Sequence, residues 1–312
     1  MKSKFQVVVI GGGVVGCSVL YHLTKLGCKD VVLLERSELT CGSTWHAAGG
    51  MHTINGDPNV AKLQLYTINL YKEIAEISGQ DIGLHMTGGI LLASTRERFD
   101  WLKSIHAKGR YLGMETEIIS PTEAKNIMPL INPEHFVGGL HNTYEGHLDP
   151  YGTTWAYAKA ARKLGAEIYQ HSRVTDLKLD RDGTWRIFMD SDSTGERHEI
   201  QSEHVVNAGG LWAREVGRMI GLELPVLAME HMYLITEDLP EVIDFNKHNQ
   251  KEIPHAVDFD GELYLRQEQN GMLMGTYEKA CKPWSPKETP WDFGQDLLPP
   301  DLERIALSLI HI

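Results

Sequence analysis

Residues 6–10 form a run, β-branched from Val7 to Ile10, that ends in glycines, the pattern of a strand buried on both faces at the centre of a parallel sheet. The apolar spacing then lengthens. Val15, Val19, Leu20, Leu23 and Leu26 recur at helical intervals over 14–26, and Gly27 stands where a helix commonly stops. Residues 31–34 supply a second buried run ending at Glu35. Strand, helix and strand in this order predict a βαβ unit with a right-handed crossover. A loop rich in Gly, Ser and Thr follows from Thr40 to Gly50, and then helical spacing runs from about residue 59 to 78. Beyond it the pattern predicts a strand over 86–94, a helix over 96–108 and a strand over 115–119. Ser120-Pro121-Thr122-Glu123 fits a capping box with proline at the first helical position.

Asp149-Pro150 opens a further helix through 164, and strands are expected at 166–170, 173–179, 185–189 and 198–200. Val205 to Gly210 reads as a short buried strand running into a glycine turn and another helix. From Leu222 onward strands return, at 229–236, 262–267 and 272–277. The fold class expected is α/β, or α+β overall. It comprises a Rossmann-like nucleotide-binding domain with a parallel sheet, over 1–80 and 141–220, interleaved with a mainly antiparallel sheet-plus-helix substrate domain over 81–140 and 221–300.

The chain has 312 residues, ample for two cores. Its formal charge of -12 repels nucleic acid and anionic lipid surfaces, so neither is an expected partner. No apolar run is long enough to cross a bilayer. Cys17, Cys28, Cys41 and Cys281 form no CxxC pair and no zinc-finger spacing with histidine, so they read as reduced thiols and no metal site is expected.

Gly11, Gly13 and Gly16 form GxGxxG at the first strand-to-helix junction. The first glycine permits the tight turn, the second lets a pyrophosphate approach the backbone, and the third lets helix and strand pack closely. The helix N-terminus, Val14 and Val15 included, offers N–H groups and partial positive charge to phosphates. Glu35 closes the second strand, where its carboxylate accepts the hydroxyls of an adenosine ribose. An ADP-containing dinucleotide follows, with NAD and FAD both open at this point.

The loop after Glu35 reads RSELTCGSTWHAAGG, small residues able to lie flat against a planar ring. With GGGVVG at 11–16, Glu35, the stretch Gly42-Ser43-Thr44-Trp45-His46-Ala47-Ala48-Gly49, and Val205 to Gly210 followed by Leu211-Trp212-Ala213, the chain resembles the D-amino-acid-oxidase-like FAD superfamily, in particular its dimethylglycine and sarcosine dehydrogenase group. The resemblance implies FAD as cofactor, joined covalently to His46 through the flavin 8α-methyl carbon. It implies cofactor contacts from Arg36, Gly42, Ser43, Thr44, Trp45, Ala208, Gly209 and Trp212, and a backbone contact to adenine from Val174. Trp45 and Trp212 read equally well as core aromatics. On the substrate side it maps an amine-positioning pair onto His231 and Tyr264. Arg266, on the same strand face as Tyr264, has the planar fork to pair with a substrate carboxylate or simply to salt-bridge at the rim.

The activity implied is oxidative demethylation of a small N-methylated amino acid such as dimethylglycine or sarcosine, with electrons passing to an electron-transfer flavoprotein or to oxygen. Alternatives are an FAD oxidase of another amino or hydroxy acid, and a non-catalytic FAD- or partner-binding fragment of a larger flavoprotein. The compartment expected is the cytoplasm in a prokaryote, or the mitochondrial matrix after loss of a transit peptide. The family's FAD domain closes with a later strand and glycine-rich segment, so residues 301–312 read as a truncated tail and the C-terminal part of that domain as missing.

Overall fold

Two sheets organise the chain, which a computed structural model describes over residues 2–191 and 195–309. Parts of the expected ranges 1–80, 141–220 and 301–312 therefore lie outside the described residues. In chain order the first half contains β1 (Lys4–Ile10), α1 (Val14–Lys25), β2 (Val31–Leu34), β3 (Gly50–Met51), α2 (Pro58–Ser78), β4 (Gly89–Ala93) and α3 (Arg96–Tyr111). It continues through β5 (Thr116–Ile119), α4 (Pro121–Ile127), β6 (Gly138–Asn142), β7 (Gly146–His147) and α5 (Pro150–Lys163). The second half contains β8 (Glu167–Tyr169), β9 (Ser172–Leu179), β10 (Trp185–Ser191), β11 (Arg197–Asn207), α6 (Ala213–Arg218) and β12 (Tyr233–Ile235). It ends with α7 (Pro240–Asn249), β13 (His255–Asp258), β14 (Leu263–Glu268), β15 (Gly271–Thr276) and α8 (Leu302–Leu309).

The first sheet has the order β8-β2-β1-β11-β10-β9. Its first four strands run parallel, and β10 and β9 continue antiparallel. Val8, Val9, Val32 and Leu33 are wholly out of water, each contributing about 1.5–3 kcal/mol relative to exposure. On one face Val7 and Val9 meet Leu20 and Tyr21 of α1 and the alanines of α5; Val8 and Ile10 face Val174, Ile187 and Met189 on the other. Ala156, Ala160 and Ala161 leave room for α1 and α5 to pack side by side.

The second sheet has the order β12-β15-β14-β13-β4-β6-β5 and is antiparallel except where β13 runs parallel to β4. One face holds Ile90, Ala256, Leu263 and Leu265 against α4 and Val242 of α7; the other holds Leu91 and Val257 against Leu102 of α3, with Tyr264 at its margin. This mixed α/β arrangement, with one parallel-centred sheet and one mainly antiparallel sheet, is the fold class the sequence predicts.

Two strand expectations change. The segments expected at 198–200 and 205–210 are one strand, β11, which pairs with β10 through residues 197–202 and with β1 through residues 201–207. Its middle reads Gln-Ser-Glu-His and hides the strand, yet Ser202 is fully buried and donates its hydroxyl to the His204 carbonyl at 2.8 Å. The strand expected over 229–236 shortens to Tyr233–Ile235, because Met229 makes only an isolated bridge to Pro283.

Asp149 caps α5, accepting from the N–H groups of Tyr151 at 2.9 Å and Gly152 at 2.8 Å, with Pro150 at the first helical position. Asp149→Ala should cost about 1 kcal/mol, read as a lowered urea midpoint at unchanged slope; an unshifted midpoint would show the cap to be idle.

Candidate functional site

The turn after β1 passes through Gly11, where φ is +111° and an added Cβ would lie 2.3 Å from the Ala208 carbonyl oxygen. Gly16 backs onto the same spot, its Cβ position only 1.9 Å from the Gly11 carbonyl oxygen. Helix α1 therefore starts directly over the ends of β1 and β11. Its N-terminus has Gly13 as cap residue, no side-chain cap and no acidic residue in the first turn. The Val14 N–H donates to Thr44 Oγ1 at 3.0 Å, and the helix end leaves partial positive charge at the wall of a cavity.

That cavity measures ≈ 280 Å³ and is walled by Gly11, Gly13, Val14, Val15, Glu35, Arg36, Gly42, Ser43, Thr44, Val174, Ala208, Gly209 and Trp212. Of the expected cofactor contacts, Gly16, Trp45 and His46 are outside the lining. Gly16 acts through packing. Glu35 is buried, and its Oε2 accepts the Gly12 N–H at 2.6 Å while Oε1 accepts the Ser37 N–H at 2.9 Å. The carboxylate thus braces the glycine turn and keeps lone pairs for ribose hydroxyls. Arg36 lies over the Trp212 ring at 3.8 Å and donates to the carbonyls of Trp291 and Phe293. A glycine cradle that any Cβ would fill, an uncapped helix end and a buried carboxylate at one cavity fit an adenine dinucleotide.

His46 is outside the lining, while Thr44 and Ala47 on either side of it in sequence line the cavity. Its Nδ1 lies 2.9 Å from the Gly42 carbonyl oxygen and its Nε2 2.8 Å from that of Asp296. A neutral imidazole has one N–H, so it donates to one of these carbonyls at a time. The ring stacks on Phe293 at 6.0 Å, and Trp45 meets it edge-on at 4.8 Å.

The second sheet brings His231 and Tyr264 together and adds Tyr277, which the sequence reading missed. Ring centroids lie 6.2 Å apart for His231 and Tyr264, 5.0 Å for His231 and Tyr277, and 4.9 Å for the two tyrosines. Gly275 makes this possible. It pairs with Tyr233 of β12 and Tyr264 of β14, and a Cβ on it would sit 2.2 Å from the Tyr264 hydroxyl. Strand alternation puts Tyr277 on that same face, the signal that would have found it. Burial is the main force lowering the His231 pKa, with Glu278 opposing and Arg304 assisting; burial raises that of Tyr264. Arg266 donates through Nε to the Ala48 carbonyl at 2.6 Å and pairs with Glu268 at 2.7 Å. It ties the aromatic face to the loop that lines the cavity.

At the seam of the two sheets, Glu145 is buried with four donors around it. Thr53 N–H and Asn142 Nδ2 reach Oε1 at 3.1 and 2.9 Å, and His52 Nδ1 and His255 Nε2 reach Oε2 at 3.4 and 3.1 Å. Burial opposes its charge, but the two imidazoles outweigh burial and hold its pKa well below the usual carboxylate range. Gly89 leaves the room, since a Cβ there would lie 2.4 Å from both Glu145 Oε2 and His255 Nε2. Several wall residues were also missed, among them Ser172, Arg173 and Trp291, and Trp291 reaches the cavity from a segment without periodicity.

The sequence matches the family model described as DAO, FAD dependent oxidoreductase, over residues 6–309. The mitochondrial dimethylglycine dehydrogenase of Rattus norvegicus is 41% identical, over 98% of this chain and 35% of that protein. The mitochondrial sarcosine dehydrogenase of Homo sapiens is 35% identical, over 94% of this chain and 31% of that protein. The chain therefore spans about a third of the length of these curated relatives. Among solved structures, L-proline dehydrogenase from P. horikoshii shares the fold with a TM-score of 0.78 at 23% identity, covering 100% of this chain and 78% of that one. No helix among the described residues is long and apolar enough to cross a membrane.

Glu145→Gln removes the charge that His52 and His255 pair with and should cost about 3 kcal/mol, measured by urea unfolding. A loss below about 0.5 kcal/mol, the scale of a surface change, would mean the seam does not depend on this carboxylate.

Proposed function

The chain belongs to the DAO family of FAD-dependent oxidoreductases, and on that premise we propose that it oxidatively demethylates a small N-methylated amino acid such as dimethylglycine or sarcosine. FAD, held by the glycine turn, Glu35 and the loop from Gly42 to Ala47, would supply at flavin N5 the acceptor for hydride from the N-methyl carbon, and the substrate iminium would hydrolyse to the demethylated amine and formaldehyde. The observation that supports the substrate reading is the aromatic cluster of His231, Tyr264 and Tyr277, since Arg266, two residues on from Tyr264, bonds to the Ala48 carbonyl of the cavity loop.

Faces of tyrosine attract a methylated ammonium by cation–π interaction. Loss of hydride needs the amine lone pair, so the ammonium proton must go. His231, an exposed imidazole whose pKa partial desolvation lowers, is the group on this face suited to accept it. Tyr264 stays a neutral phenol and donates a hydrogen bond. Arg266, although paired with Glu268, provides the positive field for a substrate carboxylate.

We further propose that His46 tethers the flavin. Its place beside Thr44 and Ala47 supports this, and Nε2 is the available nucleophile once it gives up the Asp296 carbonyl. The electron acceptor, an electron-transfer flavoprotein or oxygen, is assigned by which one re-oxidises the reduced protein.

Anaerobic mixing with dimethylglycine or sarcosine should bleach the flavin band and release formaldehyde on re-oxidation; bleaching only by hydroxy acids or unmethylated amino acids would overturn the substrate reading. His231→Ala should slow flavin reduction by about 10²–10⁴. The rate should fall as pH drops through the lowered His231 pKa, so the acid limb lies below about 6.5 and disappears in His231→Asn. Acid precipitation should leave the yellow colour in the pellet, and in the supernatant for His46→Ala. Colour released from the unaltered protein would reject the tether while keeping FAD.

A further inference from the structure

Two groups of His and Glu at the sheet seam, among the described residues, have ligand atoms close enough to share a cation: His52, Glu145 and His255, and His85, His147 and Glu252. Their chemistry differs. Glu145 is saturated, with four hydrogen-bond donors on its two oxygens. In the second group the polar atoms converge without bonding to each other. His85 Nδ1 lies 3.0 Å and His147 Nε2 3.7 Å from Glu252 Oε2, yet that buried oxygen makes no hydrogen bond. A nitrogen at 3.0 Å that fails as a donor points past the oxygen.

We propose that His85, His147 and Glu252 form a binding site for a zinc-class divalent cation. Zinc bonds to imidazole nitrogen and carboxylate oxygen of about 2.0–2.2 Å give tetrahedral edges of roughly 3.4 Å, which the two observed separations bracket. All three ligand atoms lie within 4.8 Å of one another, so side-chain adjustment alone closes the set. The two imidazoles are already aligned. Their rings stack at 4.8 Å with an 8° interplanar angle, because the backbones of His85 and His147 bond reciprocally at 2.9 and 3.0 Å.

His147 is over nine-tenths buried and its Nδ1 has no hydrogen-bond partner, so Nε2, the atom facing Glu252 Oε2 at 3.7 Å, is the nitrogen placed to bind. Two nitrogens and one carboxylate favour zinc over magnesium or calcium, which prefer all-oxygen sets, and over soft ions that require thiolate. Three protein ligands leave a fourth corner for water. The cation would clamp the segment ahead of β13, which carries Glu252, to the ribbon of β3 and β7, which carries His147, independently of any flavin.

The test is zinc content after dialysis of the purified full chain against equimolar zinc chloride, with titration for affinity. The unaltered protein should retain about one zinc per chain, and Glu252→Gln and His85→Ala should each bind at least about tenfold more weakly. His52→Ala should retain zinc, since it touches only the neighbouring group. Glu252 and His85 are partly exposed, and a thermal scan without zinc checks that both variants fold. Anomalous scattering should place the ion between the three side chains. The proposal is overturned if the unaltered protein retains no more zinc than Glu252→Gln, or if His52→Ala loses the ion while Glu252→Gln keeps it.

Discussion

No side chain fits between the turn after β1 and the end of β11, and the rest of the molecule is arranged around that constraint. A Cβ on Gly11 would meet the Ala208 carbonyl, and one on Gly16 would meet the Gly11 carbonyl. Backbone therefore touches backbone where helix α1 begins, and the helix end, with only the Val14 N–H taken up by Thr44, stands beside a cavity. Glu35 reinforces the same turn through the Gly12 N–H. One carboxylate thus shapes the cradle and faces what the cradle holds.

The second sheet is joined to this cradle by polar contacts at chosen points. Arg266 reaches across to the Ala48 carbonyl, and Glu145 gathers His52 and Thr53 from one side with His255 from the other. Such contacts fix direction as well as distance, because each hydrogen bond fails when misaligned. The strand that carries Tyr264 is thereby bonded, through Arg266, to the loop that ends at Ala48.

Much of this was legible in the sequence where local rules act alone. The βαβ unit, the glycine turn and the capping box at Ser120 and Glu123 follow from spacing and side-chain chemistry, and the structure shows both halves of that box. Strand β11 was broken in two because its centre alternates polar residues whose burial depends on partners far away in sequence. Tyr277 was missed although it falls inside the strand expected over 272–277, because its place beside His231 and Tyr264 comes from strands that pair only in the folded chain. Glu145 and its histidines are separated by 93 and 110 positions, so only the folded chain brings them together. His46 was singled out from its neighbours, yet its ring is held by Phe293 and the Asp296 carbonyl, which no local pattern connects to it.

The outer wall of the cavity is built from a segment whose main chain, rather than its side chains, is recognised. Arg36 takes the carbonyls of Trp291 and Phe293, Trp212 takes that of Pro290, and His46 meets that of Asp296. Every residue type offers a carbonyl, so this stretch is free to drift in composition while the wall stays in place. Mutational tolerance there should be high except at the indole of Trp291, the ring of Phe293 and the buried Thr289, which makes it a natural place for descendants of this gene to reshape the mouth of the site without rebuilding its frame.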